Sequence, residues 1–170
     1  MKRFVFGFVA TVVFALASSS ALAAQPSEDT VGFVLTAASC PNLAPGTVIT
    51  GTGTITTVEI TKTDGNDATT VTNTTHASGT ATDQDGNTYR FNYSNHFRIS
   101  NTGRTDPVLS GVMVDSFSLA GSGPAQLQNG FRAEFTLDFS TGLRVASFVE
   151  LSSRGDPIDF ATGEARCDPL

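Results

Sequence analysis

The stretch His76–Ser100, HASGTATDQDGNTYRFNYSNHFRIS, reads as one long β-hairpin, and the rest of the chain is organised around it. From Tyr89 onward the odd positions carry Tyr89, Phe91, Tyr93, Asn95, Phe97 and Ile99, while the even positions carry Arg90, Asn92, Ser94, His96 and Arg98. Alternation with period two marks a strand with one buried face. At about 3.3 Å per residue, Thr88 to Ser100 spans roughly 40 Å, long enough for a tilted, bending strand. The turn decides which residues oppose it. A two-residue Asp85-Gly86 turn pairs residues whose numbers sum to 171 and sets Thr82, Thr80 and Ser78 against the aromatic row. A three-residue loop, Gln84-Asp85-Gly86 with Gly86 left-handed, gives a sum of 170 and sets Ala81, Gly79 and Ala77 there. The second solution is favoured because it lays small residues against large ones. It predicts that His76 and His96 share the polar face, two residues off direct opposition.

Upstream, residues 1–24 carry Lys2 and Arg3, an apolar run from Phe4 to Leu16, and small residues ending Ala21-Leu22-Ala23. This is the pattern of a secretory signal peptide cut after Ala23 or Ala24, and its apolar run is too short for a membrane span. The expectation is therefore a secreted or periplasmic protein whose residues 25–170 form a single β domain, with no membrane span after signal removal. Removing Lys2 and Arg3 from ten basic residues leaves eight against sixteen acidic ones, a net charge of −8. That balance, without basic clusters, argues against nucleic acid or anionic lipid as a partner.

Two cysteines remain, Cys40 and Cys167. In an oxidising compartment an even pair predicts a disulfide. Closing so long a loop would stabilise by roughly 4 to 5 kcal/mol in the chain-entropy model.

The other segments read as further strands. Gln25 to Thr30 is a polar arm, and Val31 to Ala38 is an apolar run fit for a buried strand. Thr47 to Lys62 and Ala68 to Thr75 are threonine-rich strands around an Asp64–Asp67 loop, weakly specified in register and read first as a solvated sheet face, with an adhesive or sugar-facing surface as the lesser alternative. Val108 to Ala120 places Leu109, Met113, Phe117 and Leu119 on one face, interrupted by Asp115, which is costly to bury unless paired and which a bulge would turn outward. Phe131 to Phe139 alternates cleanly. A short loop at Ser140-Thr141-Gly142 then sets Phe135 opposite Ser147 and continues the apolar face through Leu143, Val145, Val149 and Leu151. With about seven to nine strands, short connections and no helical periodicity, the chain reads as an all-β antiparallel meander, closed as a barrel or barrel-like sandwich. The alternative is a Greek-key β-sandwich.

No nucleophile elbow, zinc-protease helix, P-loop or dinucleotide fingerprint is present, so no catalytic residue and no cofactor is assigned. Asp83-x-Asp85-Gly86-Asn87 resembles the start of a calcium loop but lacks the later ligands, which makes it a hairpin turn. His76 and His96 could contribute to a metal site if a third ligand joined them. Glu134, Glu150 and Asp115 are carboxylates that no spacing pairs. Three functional readings follow. The first is a non-catalytic protein acting through its surface on an extracellular or cell-envelope partner. The second is a barrel binding an apolar small molecule among Phe91, Tyr93, Phe131 and Phe135, with Asp115 as the polar group. The third is a barrel enzyme of isomerase or cyclase type.

Overall fold

In a computed structural model the described residues are 26–38, 40, 43–101, 103, 107–142 and 144–155. Residues 1–24, expected to be a signal peptide, and the residues beyond 155, which include Cys167, lie outside them.

Seven strands follow one another: β1 (Ser27–Thr36), β2 (Val48–Thr63), β3 (Thr69–Asp83), β4 (Thr88–Ser100), β5 (Val108–Gly121), β6 (Leu127–Asp138) and β7 (Arg144–Arg154). Each pairs antiparallel with the next in one sheet of order β1-β2-β3-β4-β5-β6-β7. A Greek key needs a strand that skips its neighbour, and none of these does, which removes that alternative for the described strands. Among the described residues β1 and β7 do not pair, so the sheet is open between them.

The central hairpin adopts the three-residue loop. Thr82 faces Thr88 and the register runs on through Ala81 with Tyr89, Gly79 with Phe91 and Ala77 with Tyr93. The loop is built on Asp83, whose Oδ1 accepts from the backbone N–H of Asp85 at 3.0 Å and of Asn87 at 2.9 Å. Gly86 follows at φ +82°, a conformation that costs glycine little and other residues more.

The odd-numbered face of β2 to β6 carries the core. Across it, Phe33 of β1 meets Phe91 of β4 edge-on, with ring centroids 4.8 Å apart, and Phe117 of β5 at 5.8 Å. Across a flat sheet four strand spacings amount to about 19 Å, so rings this close mean that the sheet is rolled about this face. Glycines make room for them. Phe33 lies over Gly51, and Phe91 over the directly opposed pair Gly53 and Gly79. Cys40, Leu43, Ile49, Leu119 and Leu127 close the same end of the core.

Two expectations at the chain's edges need correction. Ser27 to Thr30, read as an arm, begins strand β1, because backbone pairing with β2 extends to Ser27 opposite Thr57. In β7 a register shift at Thr136/Leu137 sets Phe148, rather than Ser147, opposite Phe135. The bulge turns Phe148 toward Phe131, at 6.4 Å between centroids, and moves Val149 to the outer face; Val145, which keeps its expected partner Leu137, and Leu151, at the second register shift, are also exposed rather than in the core. Leu143 lies outside the described residues.

Replacing Gly79 with valine should destabilise the protein by more than the about 1–3 kcal/mol usual for overpacking, because a Cβ there meets the Gly53 Cα at 2.6 Å and the Phe91 ring at 2.7 Å. Gly65, with nothing within 4 Å of its added Cβ, is the control. The urea midpoint should fall for Gly79→Val and stay put for Gly65→Ala; equal midpoints would refute the seating of Phe91.

Candidate functional site

Side chains on alternate positions divide between two faces with opposite habits. On the inner face, a polar belt interrupts the core where the register aligns Thr57, Thr75, Asn95 and Asp115 on four adjacent strands. Thr57 and Thr75 share a hydrogen bond of 3.2 Å, and the Thr75 hydroxyl donates to Asn73 Oδ1 at 3.1 Å. Asp115 is buried, and its Oδ2 accepts from the Tyr93 hydroxyl at 2.7 Å and the Asn95 amide at 2.8 Å. So the bulge expected to turn Asp115 outward is absent: β5 pairs with β4 without a register break, and the cost of burial is offset by two donors. Burial pushes its carboxyl above the usual range, while Asn95 and Tyr93 pull it back in part. Burial, then the Asp115 charge, pushes the Tyr93 phenol far up, so it remains a neutral donor.

The candidates for an apolar ligand site fall on either side of this belt. Phe91 is 2 % exposed and sits against Phe33 and Phe117. Phe135 stacks on Phe97 at 5.3 Å, and Phe131 leans on Phe148. Tyr93 and Asp115 are bonded to each other. The five residues share a face but engage different neighbours, and of these pairings only Tyr93–Asp115 is internal to the set. Asp115 also stands apart from the other carboxylates considered: Glu134 is on the outer face of β6, opposite Val112, and Glu150 is exposed on the edge strand.

Asp83 is committed to its turn. Besides the two backbone donors, its Oδ2 accepts from the Asn87 amide at 2.9 Å and the Tyr89 hydroxyl at 2.8 Å, and the Asn87 bond leads the causes holding its carboxyl below the usual range. The Asp64 carboxylate caps its own loop through Asn66 and Ala68. These two loops lie at opposite ends of β3, so their carboxylates do not gather.

On the outer face His76 and His96 are exposed and diagonal to one another, as the register predicted, with His76 opposite Ser94 and His96 opposite Thr74. His96 Nδ1 lies 3.1 Å from the Thr74 hydroxyl. Among the described residues no group of three or more His, Cys, Asp or Glu could hold a metal ion. Cys40 is fully buried and is not a free thiol, while Cys167 lies outside the described residues.

His76 instead borders a groove of about 480 Å³ that runs across the strands of the outer face. Its floor is two cross-strand rows. One is Thr54, Ser78, Asn92, Ser118 and Gln128; the other is Thr56, His76, Ser94 and Ser116. The threonines of β2 and β3 read from sequence as a solvated sheet face, with a sugar-facing surface as the lesser alternative, and the contribution of β4 to β6 is not legible there. Small polar residues do fall on even positions of each strand, but only the registers bring them side by side.

Asp115 has a raised carboxyl pKa, so its proton-bound form is favoured by folding. Its stabilising contribution is complete below the unfolded carboxylate value of about 3.9 and is lost as pH rises through the folded value. Asp115→Asn keeps the acceptor oxygen and cannot ionise. The variant should therefore gain stability relative to wild type between about pH 4 and about pH 7, read as the difference in urea midpoints at the two pH values. A difference that does not change with pH would show that Asp115 titrates as a solvated group.

Comparison with protein-family models, with curated proteins and with solved structures finds no match, so a functional reading rests on the chemistry of these two faces.

Proposed function

We propose that the chain, once exported, is a non-catalytic β protein that acts through its surface on an extracellular or cell-envelope partner. The observation that carries this reading is the division of polar groups. Two buried carboxylates are bonded within the protein, Asp115 by Tyr93 and Asn95 and Asp83 by its own turn, which supports a structural use for them. The outer face instead offers hydroxyl, amide and imidazole groups to solvent. The leader-like residues 1–24 support export, and the acidic balance supports a partner that is neither nucleic acid nor anionic lipid.

A Cys40–Cys167 disulfide and a barrel-like closure belong to the same reading. Every second strand runs in the same direction, so β7 leaves the sheet heading for the rim where Cys40 is buried beside Ile49 and Leu127. A tail tied to Cys40 would bring the open side of the sheet toward β1.

Expression of the full chain in a secreting host tests export and oxidation together. The expected product is an extracytoplasmic chain starting at Ala24 or Gln25, with no thiol reactive toward maleimide after denaturation. A cytosolic product that keeps residues 1–24 and two reactive thiols would overturn the proposal.

A further inference from the structure

The outer groove has the properties of a ligand site for one chemical class. Among the described residues, the side chains of its two rows make no hydrogen bond to another residue, although they come from five strands and face one trough. The neighbouring row behaves otherwise, since His96 and Thr74 bond each other. The groove therefore concentrates unused donors and acceptors on a rigid floor. Short serine and threonine side chains lose little freedom when they engage a ligand.

No Asp, Glu, Lys or Arg lines the groove. Arg90 and Arg132 stand in the rows beside the groove, but its floor offers a polyanion no counter-charge, and the chain carries a net charge of −6. An extended peptide binds by adding a strand to a free sheet edge, but every strand from β2 to β6 is paired on both sides, so the floor offers no free backbone edge. Ala77, Tyr93 and Phe117 also border the groove, but alternation sends their side chains to the inner face, so the floor holds no apolar anchor for a lipid. A ligand whose hydroxyls both donate and accept matches hydroxyls and amides that do the same.

We infer that the groove across β2 to β6 binds a neutral carbohydrate chain, lying across the strands with its hydroxyls on Ser94, Ser116, Ser118, Asn92 and Gln128. This rests on the surface-acting reading above and names its partner. The five strands give a floor of about 19 Å, enough for a short linear oligosaccharide rather than a single sugar.

The test uses the mature, oxidised protein labelled with ¹⁵N and titrated with neutral linear oligosaccharides: β-glucan, mannan, galactan and chitin oligomers. At least one should shift the amides of both groove rows and leave those of the inner belt around Asp115 in place. Ser94→Lys with Ser116→Lys fills the trough from one half-buried and one exposed position on the outer face, and the dispersion of the variant's spectrum shows whether the fold survives. Affinity should drop by on the order of tenfold or more, since two hydroxyl contacts alone are worth about that factor. No shift with any of the oligomers, shifts outside the groove, or a double variant that binds as wild type would overturn the inference, as would groove shifts produced only by a peptide or by heparin. Sedimentation with intact cell envelopes separates the two proposals. Envelope binding without any oligosaccharide response sinks the carbohydrate site and leaves the surface reading standing; binding to neither sinks both.

Discussion

The fold depends on aromatic rings lying down over glycine. Phe91 covers Gly53 and Gly79, Phe33 covers Gly51, and Phe135 covers Gly111 on the other side of the belt. Each ring occupies volume that a Cβ would fill, so these strands can bend where the rings rest, and the rings replace the contacts that glycine lacks. Each aromatic pair adds about 0.5–1.5 kcal/mol beyond its buried area. A rolled sheet also explains how a seven-stranded meander gains an interior without a second sheet: Phe33 on the first strand touches Phe117 on the fifth.

That curvature fixes what the two faces can do. Inside, the belt of Thr57, Thr75, Asn95 and Asp115 separates the Phe33–Phe91–Phe117 cluster from the Phe97–Phe135 stack. Its polar groups satisfy one another, which is the condition under which a polar network can sit in a core. Asp115 ends this network as a carboxyl whose proton is favoured by burial. Outside, the side chains of the two groove rows have no such partners among the described residues, and the rows beside them carry Arg90 and Arg132.

The edge strands show a different compromise. β7 carries two register shifts and exposes Val145, Val149 and Leu151, while Phe148 alone packs against Phe131 and faces Phe135. An apolar edge invites pairing with another chain, and bulges of this kind make the edge irregular as a template.

The central hairpin was legible in the amino-acid sequence because its information is local. Asp83, Gly86 and the run of small residues against Tyr89, Phe91 and Tyr93 specify turn, register and buried face within twenty-five residues. The all-β meander, the inward row of Leu109, Met113, Phe117 and Leu119, and the shared face of His76 and His96 follow from the same period-two pattern. What only the tertiary structure decided is non-local. The partners of Asp115 come from β4 through a loop whose sequence says nothing about register, and Phe148 turns inward through a bulge that alternation cannot anticipate. The groove exists because five separate strands align their small polar residues in two rows. Residues that meet across strands are chosen by register, and register is an energy of the whole sheet rather than a property of any one segment.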